Sequence, residues 1–248
     1  MTYAQLSVIT AAHPAAYQWL REAGASLLDQ TVPLQWIVVA DDFDTNGVTN
    51  QLATLPEQLR KRTTVLATGT LGLGAAVART VALTEVRTPW LSILDADDQW
   101  LPGGLDTLLA AATTRNVSWA VGRCDELTPA GRRSHRPDSY VPNQYFWRGE
   151  TPRVVETGLL PWHACVMVAR AAAVRAAGGW PPFPVAEDFA LAVALGALTH
   201  GFAVDQTVFL YRKWGAIQTT EKPSYAALRA YWRPLAIKRA AQLAAHYR

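Results

Sequence analysis

Apolar residues fall in short, dense runs over the first hundred positions, each followed by a segment of helical character. "QLSVIT" (5 to 10), "LQWIVVA" (34 to 40), "TTVLAT" (63 to 68) and "PWLSIL" (89 to 94) are four such runs, bounded by turn residues and short enough to predict strands. Between them lie an Ala-rich segment ending near Gly24, a helical stretch to about Arg62, and "AAVARTVALTEV", with helical periodicity and composition, after the glycine loop "GTLGLG". Strands alternating with helices in this order predict parallel β-α-β units and a doubly wound sheet. In the second half, "LPGGLDTLLAAATT" predicts a helix, "VSWAVGRCDEL" a strand, and "HACVMVARAAAVRAAGG" a strand and a helix closed by Gly178. "EDFALAVALGALTHG" then predicts a helix and "FAVDQTVFLYR" a last strand. The basic, Pro-containing stretch "RRSHRPDSYVPNQYFWRGETPR" is too polar for core and reads as a long functional loop.

The turns after the strands carry the chemistry. "LSILDADDQW" (91 to 100) runs from a buried strand straight into Asp95, Asp97 and Asp98, where repulsion and desolvation both oppose three carboxylates. A cation answers that conflict. Ions of the Mg or Mn kind take oxygen ligands, commonly one or two carboxylates plus substrate phosphates, and the strand period sets Asp95 and Asp97 on one side. The plainer alternative is that Asp98 caps the following helix and Asp95 merely ends a strand. "DDFDTNG" (41 to 47) closes the second strand in a similar way. Both clusters lie beyond strand carboxyl ends, where doubly wound sheets bind ligands.

Size and charge narrow the class. At 248 residues, half of them hydrophobic, the chain suits one large α/β domain. The net charge is +3, with 23 basic and 20 acidic residues; six of the basic and none of the acidic ones follow Glu221, leaving 17 against 20 before it. The body is slightly acidic and the tail basic, so nucleic acid is the weakest partner class. Cys124 and Cys165 offer no disulfide framework and no zinc spacing, which fits ordinary core thiols in a reducing cytoplasm. With no basic n-region before the first apolar run and no apolar stretch of transmembrane length, a soluble protein is expected.

Four motifs in order resemble the family 2 glycosyltransferases of the GT-A fold. "DDFDTNG" keeps the spacing of that family's DDGSTDG after a strand. "GAAVARTVALTEVRTPWLSILDADD" (74 to 98) is similar to its next block, with Gly74, Arg79 and Asp95 at the family's spacing. "GGW" (178 to 180) followed by "EDFAL" (187 to 191) is similar to its GGF…ED-x-x-L element. The resemblance implies a single-domain, Rossmann-like, mixed but mostly parallel sheet flanked by helices. A donor half would span about 1–100 and an acceptor half about 101–221, with a basic amphipathic helical tail over 222–248. It implies inverting, metal-dependent transfer of a hexosyl or related glycosyl group from a nucleotide-diphosphate donor, UDP-sugar favoured. The acceptor would be a hydroxyl or amine of a saccharide or small molecule. By position, Thr10, Ala11, Asp41 and Asp42 would face the nucleoside, Arg79, Asp95 and Ala96 the nucleotide, and Asp97 with Asp95 the Mn or Mg. Asp188, or Glu187 beside it, would take the acceptor proton opposite the leaving group.

The chain also departs from that pattern. The first strand ends "VITAAHP" where the family often has "PT", and "YRKWGAIQT" places Trp214 where a histidine is often found. Arg212 and Lys213 are then the groups left to contact the diphosphate. For the acceptor, His163 in "LLPWHAC" and the aromatic faces of Trp147, Trp162 and Trp180 are candidates, though each is equally readable as packing. The tail is either an amphipathic helix on an anionic inner membrane face or, as such stripes more often are, a helix packed on the domain with its charges outward. Two rival functions remain: a sugar-nucleotide nucleotidyltransferase, which lacks its Gly-rich, basic phosphate loop in "TAAHPAAYQW", and a non-catalytic nucleotide-sugar-binding scaffold.

Overall fold

The computed structural model describes residues 3–131, 133–135, 143–150, 160, 162–213 and 223–246. Strands β1 (Leu6–Ala12), β2 (Leu34–Ala40), β3 (Thr63–Ala67) and β4 (Trp90–Ile93) pair in parallel in the order β3-β2-β1-β4. That order places the topological switch between β1 and β4, the position where a doubly wound sheet opens a crevice at its carboxyl edge. The sheet continues through β9 (Met167–Arg170), β6 (Trp119–Leu127), β10 (Gly201–Arg212) and β5 (Gln99–Trp100). β9 runs antiparallel to β4 and β6, while β6 and β10 are parallel. β7 (Arg133–His135) adds to β6 and β8 (Gln144–Phe146) to β10, both antiparallel.

Alternation along the strands feeds a core on each face. In β1, Leu6, Val8 and Ala12 pack with α1 (Leu20–Ser26), α2 (Asn46–Leu52), α3 (Glu57–Arg60) and α5 (Gly104–Thr114). Ile9 faces the other way, toward α4 (Ala75–Leu83), α6 (Ala171–Ala176), α7 (Glu187–Leu198) and α8 (Pro223–His246). The sheet is therefore flanked by helices on both sides, in a single domain. α7 is the most enclosed of them: every residue from Phe189 to Ala197 is buried, as expected of a helix apolar all round.

α8 is the helix that encloses it. Tyr225, Trp232, Ala236 and Ala240 form its inward stripe and join the same core as α7, and the Trp232 ring lies 4.7 Å from that of Phe183. Arg239 donates to the Ala177 carbonyl at 2.6 Å, just past the end of α6, where Gly178 takes a left-handed φ of 76°. The basic tail is thus docked on the domain. Its outer side exposes Leu228, Tyr231 and Leu235. Among the described residues, no helix is long and apolar enough to cross a membrane.

Three expectations change in detail. The first Ala-rich segment begins as a 3-10 turn over Pro14–Trp19, because His13 caps it by accepting from the Ala15 amide and Pro14 presets its first dihedral. The helix expected to run to Arg62 is broken ahead of Pro56, which starts α3 as its N-cap. The polar stretch after β6 contains β7 and β8, three-residue additions that need little apolar surface. Its residues 132, 136–142 and 151–153 lie outside the described residues, as does Trp214.

Candidate active site

The carboxyl ends of β1, β2 and β4 converge on one crevice. β2 hands over to Asp41, whose amide donates to the Ala12 carbonyl at 2.8 Å. The Asp41 carboxylate is buried and fully occupied: it accepts from the Leu73 and Gly74 amides at 2.8 and 2.9 Å and from the Thr68 hydroxyl at 3.3 Å. Asp41 therefore shapes the glycine loop leading into α4. Gly74 enters that helix at φ 91° and ψ 165°, a conformation that side chains beyond glycine rarely adopt. Asp42 sits further out, accepting from the Phe43 amide at 2.8 Å and from the Tyr17 hydroxyl at 3.2 Å. Burial and the Asp42 charge push the Tyr17 pKa well up, which keeps it a donor. Thr10 turns into the core, fully buried, where its hydroxyl accepts from Trp36 Nε1 at 2.9 Å. Only the backbone of Thr10 and the half-buried Ala11 remain to meet a ligand there.

The Asp95 segment is a turn and not the extended strand end expected from the sequence. Leu94 still donates to the Ile9 carbonyl at 2.9 Å, but the Asp98 amide then folds back onto the Asp95 carbonyl at 3.0 Å. Ala96 and Asp98 point inward and are buried, while Asp95 and Asp97 stay partly exposed. Asp98 caps no helix: its Oδ1 accepts from the Arg212 amide at 2.8 Å, and burial, then Asp97 and Asp95, push its pKa well up. Arg212 also donates through Nε to the Asp97 carbonyl at 2.6 Å, pairs with Glu22, and lies 5.7 Å from the Trp19 ring. These engagements make Arg212 the fastener of the aspartate turn.

Arg79 joins the two ends of the crevice. Projecting from α4 with 3% exposure, it donates to Asp95 Oδ1 at 2.6 Å and to Glu187 Oε1 at 2.8 Å, linking residues 16 and 108 positions away. Burial disfavours its charge, yet the Asp95, Glu187 and Asp188 carboxylates outweigh that and hold its pKa well above the usual range. Glu187, largely enclosed and beside Asp188, is pushed up to about 7 despite the Arg79 charge. Asp188 accepts from the Phe189 amide at 2.7 Å and from the Cys165 thiol at 3.4 Å. Burial, with Asp95 and Asp188 nearby, pushes that thiol up and keeps it neutral.

Several aromatic candidates lie elsewhere. Trp162 and Trp180 are each 3% exposed, and Trp162 packs against Trp119 and Phe146 with ring centroids 5.0 and 4.6 Å away. Neither offers a face to a sugar, because a large indole with an apolar shell is worth more inside the core. His163 packs its ring 4.9 Å from Tyr211. Trp147 is 53% exposed and stacks on Tyr145, but Gly149 beside it donates to the Gly196 carbonyl. That places Trp147 near the far end of α7, roughly 13 Å from Glu187 at 1.5 Å per residue. Residues that local patterns did not single out also belong to the site: Tyr17, Glu22, Thr68 and Cys165. Their partners are distant in sequence, and only the "AAYQW" aromatics gave a local signal.

Among the described residues, no group of three or more His, Cys, Asp or Glu is placed to hold a metal ion. A doubly wound half-sheet thus carries paired aspartates at its carboxyl edge, faced by a carboxylate-headed helix. The sequence model of glycosyl transferase family 2 matches residues 7–177, and the chain belongs to that family. The glycosyltransferase TuaG of Bacillus subtilis (strain 168), assigned to teichuronic acid biosynthesis, is 28% identical over 138 residues. That match covers 54% of each chain, so the chain spans about half the length of this relative. Among solved structures, S. aureus TarS 1-349 superposes with a TM-score of 0.71 at 16% identity, over 98% of this chain and 70% of that one. Its complex with UDP-GlcNAc gives 0.71 at 18%, over 98% and 71%. Family membership decides for a glycosyltransferase over a nucleotidyltransferase.

Proposed function

We propose that the protein is an inverting, metal-dependent glycosyltransferase using a UDP-sugar, with the donor in the half spanning about 1–100 and the acceptor in the half spanning about 101–221. The observation that carries this is the Arg79 bridge, which fixes a donor-side carboxylate, Asp95, and the head of α7 in one crevice. The complexes of TarS with UDP and with UDP-GlcNAc support a uridine-diphosphate donor.

The residues divide the work. Asp42, steadied by Tyr17, faces the nucleoside, while Asp41 acts one step back by holding the glycine loop. Asp95 and Asp97 fit a hard divalent cation: both donors are carboxylate oxygens on a partly exposed turn, and Asp95 gives only Oδ1 to Arg79. When bound there, Mn or Mg would act as a Lewis acid toward the departing diphosphate, its remaining ligands being donor phosphate and water. Asp188 takes the proton of the acceptor hydroxyl or amine as the new bond forms on the face opposite the leaving group. Glu187, spent on Arg79, orients that helix end. The two buried free thiols suit a reducing cytoplasm, and the outward Leu228, Tyr231 and Leu235 of α8 suit peripheral contact with a membrane face.

The test is titration calorimetry of the protein with UDP, GDP, dTDP and CDP, each with and without Mn. Metal-dependent UDP binding that disappears in Asp97→Ala, with circular dichroism unchanged, is the expected result. Equal UDP affinity in Asp97→Ala would sink the metal assignment.

A further inference from the structure

One buried thiol lies against the proposed base, and nothing in the transfer chemistry above employs it. Cys165 Sγ donates to Asp188 Oδ2 at 3.4 Å across 23 positions of sequence, while Asp188 Oδ1 accepts from the Phe189 amide at 2.7 Å. The Phe189 bond comes from the next residue of α7 and can only follow that helix. Cys165 is therefore the one group from another element that hydrogen-bonds Asp188 among the described residues. Arg79, the other polar group that reaches α7 here, gives its bonds to Asp95 and Glu187 at 2.6 and 2.8 Å.

The thiol stands on firmly held backbone. Cys165 is 3% exposed, and its carbonyl accepts from the Met167 amide at 3.0 Å in the turn that enters β9, which lies between β4 and β6 in the middle of the sheet. The turn before it is closed by the Val166 amide on the His163 carbonyl, also at 3.0 Å. α7 in turn begins under constraint: Ala186, just ahead of Glu187, takes φ 63° and ψ 25°, a left-handed conformation unfavourable for alanine, and supplies no side-chain cap. Such backbone persists where the surrounding contacts over-determine it. Burial, then Asp95 and Asp188, keep Cys165 a thiol and hence a donor. A neutral thiol donates weakly, so it steadies a carboxylate without setting a positive charge against it.

We propose that Cys165 is a positioning residue for the base, its thiol holding the Asp188 carboxylate in one orientation toward the acceptor hydroxyl or amine. This rests on the reading of Asp188 as the base and adds to it a residue that touches neither substrate. The two acids that head α7 are then tied to different supports, Glu187 to α4 through Arg79 and Asp188 to the sheet through Cys165.

The experiment has a spectroscopic and a kinetic arm, both on the full chain. The S–H stretch absorbs in an infrared window that other protein groups leave open, and Cys124→Ala leaves Cys165 as the only thiol. Expected is a band lowered by hydrogen bonding, which moves to higher frequency when Asp188→Ala is added. A band at the same frequency in both chains overturns the proposal. The kinetic arm reads UDP released from saturating UDP-GlcNAc with Mn, water serving as the acceptor. Cys165→Ala should slow release about tenfold with UDP affinity unchanged, and Cys165→Ser, which keeps a donor, should recover part of the loss. Once Asp188→Asn is in place, Cys165→Ala should cost nothing further. Release at the parent rate in Cys165→Ala, or an equal loss with and without Asp188→Asn, overturns the positioning role. Asp188→Asn releasing UDP at the parent rate, with the infrared shift intact, would instead sink Asp188 as the base.

Discussion

Replacing Glu187 by glutamine tests the electrostatics of the crevice most directly. The Glu187 side chain is 15% exposed and accepts from Arg79 at 2.8 Å, a contact that the glutamine oxygen can keep. Its pKa rises from 4.5 to about 7, first through burial and second through Asp188. An acid with a raised folded-state pKa holds its proton in the folded protein after the unfolded chain has released it. Its contribution to stability is fully present below pH 4.5 and is lost as pH climbs through 7. At 1.36 kcal/mol for each pH unit of that rise, the loss amounts to about 3 kcal/mol at most. The parent should therefore lose about 3 kcal/mol relative to Glu187→Gln between pH 4.5 and 8. Urea unfolding of both proteins at half-unit pH steps measures the difference. Parallel stability curves, or a parent that gains on the variant with rising pH, would mean that Arg79 outweighs burial, and the account of the site would be wrong.

Two other outcomes follow from the geometry. Asp188→Asn should lower kcat by about 10²- to 10⁴-fold, the usual worth of a positioned base, with UDP affinity unchanged because Asp188 accepts from Cys165 and from its own helix, away from the donor-side turn. A change in UDP affinity equal to the loss in rate would place Asp188 in donor binding instead. Gly74→Ala should cost about 1–3 kcal/mol in urea unfolding from the positive φ alone, since an added Cβ meets nothing within 4 Å. A neutral substitution would show that the loop tolerates another backbone path.

The first four strands and the placement of both aspartate clusters were legible because strand length, β-branching and flanking turns are local signals. Glu187 and Asp188 were legible in the same way, as acids heading an apolar helix. The Arg79 bridge to Glu187 was not, since it spans 108 positions and an isolated arginine carries no mark of burial. Trp162 and Trp180 misled for a different reason: an indole suits a sugar platform and a core equally, and only the shell around it decides. The pairing of Arg212 with Glu22 was not legible either, because its neighbours in the chain say nothing of a residue 190 positions away. β7 and β8 were missed because short edge strands bury little and can be polar.

The Arg212 fastening carries a consequence for how such enzymes can be recombined. Its backbone and guanidinium stitch the end of the last strand to Asp97, Asp98 and Glu22, so the proposed donor half is completed by a residue from the opposite end of the fold. A hybrid that joins residues 1–100 of this chain to the remainder of a relative inherits a foreign clasp at that seam. Exchanging acceptor preferences between relatives by swapping halves should therefore succeed only where position 212 and its three partners travel together.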